Sequence, residues 1–188
     1  MRPAALALLL NLAVVPAWAQ SMPFKADVQV ALLLKILTYD RSFQFKAKSG
    51  VSIGVVYVPS DPQSVAAKEE VMKTLNSLAG RTIKNLPIKF IAVEYKDARQ
   101  LEAAVRANKI NVFYVTPGNG DSMSALIKMS HTFTITTATG VPDYVKQGVS
   151  IGIGAKQDKP EILINLVSSR SEGSDFDASL LRIATIVK

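Results

Sequence analysis

Runs of β-branched residues alternate with segments of helical periodicity along this chain, and that alternation restricts its fold more than any other feature. Residues 28–39 carry leucine and isoleucine at helical spacing, and residues 51–58 form a β-branched run bounded by glycine and proline. The same order repeats, with predicted strands at 88–93, 110–115 and 132–138. Strands separated by helices of this length favour right-handed crossovers and a parallel sheet covered on both faces.

Capping residues mark where the intervening helices begin and end. The predicted N-caps are Asp61, Asp97 and Asp121, because an aspartate before a helical stripe accepts bonds from the first free N–H groups. Gly80 stands where a left-handed C-cap would end the helix that Asp61 begins.

The last forty residues follow a different pattern. Val149, Ile151 and Ile153 alternate with Ser150 and Gly152, and Ile162, Ile164 and Leu166 alternate with Leu163 and Asn165 after a polar turn at 156–159, which is typical of an antiparallel hairpin. Asp175 or Asp177 is predicted to cap a final helix carrying Leu180, Leu181, Ile183, Ala184 and Val187. We expect Ile164, Leu166, Leu180, Leu181 and Ala184 to lie in the core. The predicted fold is α/β, a three-layer doubly wound sheet, mainly parallel, with a C-terminal antiparallel β-hairpin and a final helix.

The first nineteen residues have the pattern of a secretory signal peptide. Arg2 precedes an apolar run over 4–15, and Ala17-Trp18-Ala19 is a small-x-small cleavage site. We expect cleavage after Ala19, a periplasmic location and one domain over 20–188. An uncleaved anchor is the alternative, but the apolar run is shorter than the roughly 20 residues of a spanning helix. The absence of cysteine excludes disulfides and lipoprotein acylation.

Charge and composition argue against nucleic-acid binding. The formal net charge is +7, but lysine and arginine are spread along the whole chain rather than clustered. A solvated surface explains this distribution, with a weak preference for acidic partners as the alternative.

The side chains that most catalysis needs are scarce. His131 is the only histidine, which excludes a two-histidine metal site, and its position near a helix end is typical of a surface residue. The segment 120–124 begins like a nucleophile elbow but lacks the second glycine. Gly118 and Gly120 resemble a dinucleotide loop whose third glycine is replaced by Met123. We therefore expect no enzyme activity, catalytic residue, metal or cofactor.

Polar residues at the predicted carboxyl ends of the strands are the candidates for a small ligand. Ligands of open parallel sheets bind at these ends, where hydroxyls, amides and helix N-termini collect. The candidate residues are Ser60, Asp61, Thr116, Gly118, Asn119, Gly120 and Thr139. Ordinary turn chemistry selects the same residue types, so both interpretations stay open.

The C-terminal segment carries a more specific pattern. Gly148 precedes the hairpin, Ile164-Asn165-Leu166 ends its second strand, a polar stretch covers 167–174, and residues 179–184 read Ser-Leu-Leu-Arg-Ile-Ala. This pattern resembles the YfiR-like (YfiR/HmsC) family of bacterial periplasmic regulators. Two features differ from many members: Tyr39-Asp40-Arg41 stands where they have a Trp-Pro step, and the cysteine pairs of some members are missing.

The resemblance implies a non-enzymatic regulator that restrains the periplasmic sensory domain of an inner-membrane signalling protein, typically a diguanylate cyclase, and so affects cyclic-di-GMP and biofilm output. It also implies a partner-binding surface bordered by Glu161, Asn165, Ser168, Ser169 and Arg170. From the residues alone, Asn165 is expected to bond the backbone of the segment after it. The expectations further include a homodimer and no membrane insertion. The alternative is a periplasmic small-molecule binding protein feeding a transporter or a sensor kinase.

Overall fold

The structure, a computed structural model, describes residues 22–48 and 50–188, and the predicted cleavage site after Ala19 lies outside them. The strands are β1 Val51–Tyr57, β2 Thr82–Ile83, β3 Leu86–Glu94, β4 Val112–Val115, β5 Thr136–Thr139, β6 Ile151–Lys156, β7 Lys159–Asn165 and β8 Thr185–Val187. The helices are α1 Ala26–Thr38, α2 Phe43–Ala47, α3 Pro62–Ser77, α4 Ala98–Asn108, α5 Met123–Phe133, α6 Pro142–Lys146, α7 Leu166–Ser171 and α8 Ala178–Leu181.

All of these strands join one sheet, in the order β2-β3-β1-β4-β5-β6-β7-β8. The five strands from β3 to β6 are parallel, β2 and β7 are antiparallel to β3 and β6, and β8 is parallel to β7. The chain runs from β1 outward to β3 and then returns to β4 on the other side of β1. The order therefore reverses between β1 and β4, as in a doubly wound fold, which confirms the predicted class.

The two faces of the sheet bury two separate cores. Successive side chains of a strand point to opposite faces, so Val51, Ile53 and Val55 pack with α1 and α3. Val56 packs in the opposite core with side chains of α4, α5 and α6. Every residue from Val51 to Val56 is buried, because helices cover both faces.

Two of the three predicted N-caps are confirmed. The Asp61 carboxylate accepts bonds from the N–H groups of Gln63 and Ser64, and Asp97 accepts from Gln100. The third is wrong: Asp121 is exposed, and Ser122 occupies the cap position of α5 with its hydroxyl donating to the Asn119 carbonyl.

Two predicted boundaries are also wrong. Gly80 has the expected positive φ of 82°, but α3 ends at Ser77 with Leu78 as its C-cap. Helix α5 continues to Phe133, so the strand predicted from residue 132 begins at Thr136. A β-branched run alone could not reveal that its first members close a helix.

The C-terminal hairpin is confirmed, and the final helix is largely wrong. Gln157 and Asp158 form the two-residue turn with φ of 50° and 59°, which matches the twist of the paired strands. Asp177 caps α8, but that helix has four residues, and Thr185–Val187 then pair with β7 as strand β8. The β-branched residues there favour a strand once an open sheet edge is available.

The residues predicted to form the C-terminal part of the core are buried to different extents. Ile164 and Leu180 are fully buried, whereas Leu166, Leu181 and Ala184 are partly buried against the same cluster. In the part of the chain that the structure describes, no helix is long and apolar enough to cross a bilayer.

Candidate functional site

The loops after β1 and β4 meet where the strand order reverses, as the sequence predicts for a ligand site. The Thr116 hydroxyl lies 2.7 Å from the Ser64 hydroxyl and donates to the Val56 carbonyl at 2.9 Å. The Asn119 amide donates to the Thr116 carbonyl at 3.0 Å, and the one proton of the Ser122 hydroxyl is shared between the carbonyl and the side-chain oxygen of Asn119, at 2.9 and 3.0 Å. These buried polar groups therefore satisfy one another.

Gly118 and Asp61 lie in close contact and so bring the loops after β4 and β1 together. Gly118 has a φ of 82°, and a Cβ added there would lie 2.5 Å from an Asp61 carboxylate oxygen. The other Asp61 oxygen accepts from Gln63 and Ser64 at 2.8 and 3.0 Å. Glycine thus permits both the left-handed backbone and the close approach of the capping aspartate.

Similar internal hydrogen bonds occur at the carboxyl end of the neighbouring strand, β5. The Thr139 hydroxyl donates to the Val115 carbonyl at 2.8 Å and accepts from the Val141 N–H at 3.0 Å. The Tyr114 hydroxyl donates to the Gln29 amide oxygen of α1, and burial raises its pKa. Burial also raises the pKa of Tyr144 to about 12, against backbone hydrogen bonds from Asn119, Gly118 and Gly120.

The structure brings Asp61, Thr116, Gly118 and Asn119 together, with Thr139 at the next strand end. Ser60 is exposed beside them, and Gly120 is half-buried. The polar side chains described above already bond protein groups, so a small ligand at these loops stays a prediction.

A second candidate site is the short helix α7, which occupies much of the stretch expected to be a polar loop. Asn165 is its N-cap: the side-chain oxygen accepts from the Ser168 N–H at 3.0 Å, which confirms its expected bond to the following backbone. The Asn165 amide also donates to the Val145 carbonyl at 3.0 Å, which joins α7 to α6.

The five predicted partner residues, Glu161, Asn165, Ser168, Ser169 and Arg170, differ in their exposure to solvent. Asn165, Ser168 and Ser169 are only 7%, 6% and 1% exposed, because the inner side of α7 packs on the protein. Arg170 is exposed, and Glu161 is half-buried with an oxygen 2.5 Å from the Thr185 hydroxyl. The exposed side of α7 instead presents Arg170 and Val167.

The residue after α7, Glu172, is fully buried. Its carboxylate accepts from the Thr137 N–H at 3.0 Å, the Thr137 hydroxyl at 2.6 Å and the Ser150 hydroxyl. The Ser130 hydroxyl lies 3.1 Å away but is also 2.9 Å from the Ile127 carbonyl, and its one proton serves only one of them. Burial raises the pKa of Glu172 to about 7, although these hydrogen bonds oppose the shift.

A buried ion pair lies beside this carboxylate. The Lys46 ammonium of α2 is 3.3 Å from an Asp40 oxygen and donates to the Thr136 and Ser174 hydroxyls at 2.6 Å each. Burial lowers the pKa of Lys46, and Asp40 opposes that shift. The sequence reasoning missed Asp40, Lys46 and Glu172 because charged residues in polar segments give no sign of burial. The one signal was Asp40, which stands in the segment that departs from the family's Trp-Pro step.

The hydrogen bonds and the ion pair described above hold these segments of the protein in place. They do not form a metal-binding cluster. Among residues 22–48 and 50–188, no three histidine or acidic side chains come close enough to hold a metal ion. His131 is exposed in the last turn of α5.

Solved structures similar to this chain are α/β proteins of low sequence identity. An ABC domain in complex with L-Trp from Streptococcus pneumonia has a TM-score of 0.61 and 14% identity, over 87% of this chain and 60% of that one. A conserved domain protein from Vibrio cholerae O1 biovar El Tor has 0.59 and 16% over the same shares. A ligand-free, open substrate-binding protein with adhesive properties from Clostridium difficile has 0.51 and 17%, over 78% and 57%.

These similarities show the fold alone, and the chain spans about 60% of the length of the first two structures. No curated protein matches the chain significantly. The family comparison is more specific, because the YfiR/HmsC-like family matches residues 26–185, which include both candidate sites. This chain belongs to the YfiR/HmsC-like family.

Proposed function

We propose that this chain is a periplasmic, non-enzymatic regulator that binds the sensory domain of an inner-membrane signalling protein of the diguanylate cyclase type. By restraining that domain it lowers cyclic-di-GMP and biofilm output. Membership of the YfiR/HmsC-like family supports a periplasmic regulator of the diguanylate cyclase pathway in general.

The observation that supports a binding surface on α7 is that this helix is anchored at both ends. A helix of six residues is too short to be stable alone. Asn165 fixes its start through bonds to Ser168 and Val145, and Glu172 fixes its end through bonds to Thr137 and Ser150. The helix is therefore held before a partner arrives, which reduces the entropy lost on binding.

The exposed side of the anchored helix has the composition of a recognition surface. Val167 is 74% exposed, and Arg170 lies one turn later on the same exposed side. Arginine beside an apolar residue suits a partner surface that carries a carboxylate next to an apolar patch.

The small-ligand alternative has weaker support. Two of the similar structures are a domain in complex with L-Trp and a substrate-binding protein, but each is under 20% identical to this chain. At the strand ends of this chain, Thr116, Asn119 and Thr139 bond other protein groups.

A charge reversal on α7 tests the proposal. Gene deletion should raise cellular cyclic-di-GMP, the wild type should restore it, and Arg170→Glu should restore it poorly and lose co-purification of the membrane partner. Lys73→Glu, an equal charge change on the exposed side of α3, should behave as wild type. Arg170→Glu should change the free energy of unfolding by less than about 0.5 kcal/mol. Glu161→Lys is a poorer test, because Glu161 bonds Thr185 of β8.

An unchanged nucleotide level after deletion, without a co-purifying membrane protein, would overturn the regulatory function. A rise on deletion that Arg170→Glu fully reverses would overturn only the placement of the surface on α7.

A further inference from the structure

A cleft of about 640 Å³ opens at the amino ends of the central strands, on the edge of the sheet opposite the loops described above. Its walls come from α2, α4 and the end of α5, and its floor includes the residues that precede or begin β1 and β4. The cationic lining residues are Lys46, Lys48, Lys89, Arg106 and Lys109. No aspartate or glutamate lines the cleft within the described residues.

Three of these cations are available to a ligand. Lys46 is paired with Asp40 at 3.3 Å, and Arg106 with Glu102 at 2.7 Å. Lys48, Lys89 and Lys109 are exposed and form no ion pair with any residue of 22–48 or 50–188. The cleft therefore carries positive charge that the protein does not itself neutralise.

The floor between these cations is apolar, and its polar groups are already bonded. Val105, Ile110 and Phe133 line it. The Asn111 side chain accepts from the Ser52 N–H and donates to the Gly50 carbonyl, each at 3.0 Å. Binding there would rest on charge and apolar contact rather than on directed hydrogen bonds, which a small polar metabolite usually needs.

The backbone around the cleft is held in a costly conformation. Lys48, Lys109 and Thr134 all line it, and their φ angles are 51°, 51° and 52°. Left-handed backbone is unfavourable for residues with a Cβ, above all for a β-branched threonine. All three residues are C-caps, of α2, α4 and α5, so three helices end at the cleft and two of their caps carry a lysine to its rim.

A second groove continues the same surface. It has a volume of about 480 Å³, lies between α4 and α5, and shares Arg106 and Phe133 with the basic cleft. Its other lining residues include Arg99 and Lys128, with Glu102 as the acidic one among them. Cleft and groove adjoin at Arg106 and Phe133, where the Arg106 guanidinium lies 4.6 Å from the centre of the Phe133 ring, and the two together are called the basic trough below.

We propose that this trough binds an extended acidic peptide segment, with apolar side chains between its carboxylates, from a protein partner. Two adjoining cavities suit a ligand that reaches across both, as an extended peptide does, and the unpaired lysines of the first supply the charge complementarity. The site is separate from α7, and this inference does not depend on the function proposed above.

Binding of a defined peptide tests the inference. The probe is a short fluorescein-labelled peptide of glutamates with interspersed leucines, measured by anisotropy on the purified protein, beside its glutamine counterpart. Lys89→Glu/Lys109→Glu should weaken binding by about tenfold or more. The control Lys73→Glu/Lys159→Glu makes the same net charge change on α3 and at the start of β7, and should weaken peptide binding less than about twofold. Lys109→Gly should weaken binding about threefold while raising the melting temperature, because glycine relieves the left-handed backbone.

Equal weakening by both double variants would show diffuse electrostatic attraction and overturn the site. Displacement of the peptide by millimolar glutarate would assign the trough to small anions instead. Sedimentation with phosphatidylglycerol vesicles that depends on Lys89 and Lys109, without peptide binding, would assign it to lipid headgroups. Equal binding of the glutamine peptide would also overturn the proposal.

Discussion

The hydroxyl of Thr137, at the second residue of β5, donates to the buried carboxylate of Glu172 over 2.6 Å. This bond joins the end of α7 to the middle of the sheet. Because Glu172 is buried without a directly paired cation among the described residues, its protonation is coupled to the stability of the fold.

Replacement of Glu172 should change how stability depends on pH. Its pKa is about 7 in the folded protein and near 4.5 when unfolded, so between these values the folded state binds the extra proton. The contribution of this extra proton to the free energy of unfolding is fully present below pH 4.5 and is lost as pH rises through 7. Urea unfolding should show a loss on the order of 3 kcal/mol across this window. Glu172→Gln should remove that part of the pH dependence. The control Glu69→Gln, on the exposed side of α3, should leave it unchanged. The same dependence of unfolding free energy on pH in the wild type and in Glu172→Gln would contradict the prediction.

The buried Asp40–Lys46 pair should be costly to break from one side. Their side chains are 0% and 6% exposed. Lys46→Met should destabilise the protein by about 3 to 5 kcal/mol, because it leaves the Asp40 carboxylate buried without its cation. Asp40→Asn/Lys46→Met should recover most of that loss, as measured by urea unfolding at one pH. A double variant as unstable as the sum of the two singles would refute this coupling.

Two glycines with the same backbone angle should respond differently to alanine. Gly80 and Gly118 both have a φ of 82°, but a Cβ at Gly80 meets nothing within 4 Å, whereas at Gly118 it meets Asp61. Gly80→Ala should cost about 1 kcal/mol from backbone strain alone. Gly118→Ala should cost about 1 to 2 kcal/mol more, because the Asp61 cap must move. Thermal unfolding measures both, and equal losses would show that the Asp61 contact carries no energy.

Alanine substitutions of the two adjacent leucines of α8 should distinguish a core residue from a peripheral one. Leu180 is 1% exposed and Leu181 is half-buried, although the sequence pattern favoured both as core residues. Leu180→Ala should cost about 2 to 5 kcal/mol, and Leu181→Ala about half as much or less. Denaturant unfolding of the two variants gives the comparison; a larger loss for Leu181→Ala would place α8 differently against the sheet.

The sequence by itself determined the α/β alternation, the hairpin and the caps at Asp61 and Asp97. These features depend on periodicity and on bonds between residues close in the chain, so the residues that encode them are also their neighbours. Asn165 belongs to this group, because its bond to the Ser168 N–H spans three residues. The family pattern in the last forty residues was readable for the same reason.

Only the tertiary structure decided which polar residues are buried and where the last strand lies. Val187 pairs with Asn165 across the sheet edge, and the β-branched residues of that strand could show their preference only because the packed fold leaves the edge of β7 open. Glu172 bonds residues 22 to 42 positions earlier in the chain, so its burial follows from how α7 packs on β5 and α5. The burial of Ser168 and Ser169 has the same origin. Burial is a property of packing between distant segments, whereas caps and turns are properties of neighbouring residues.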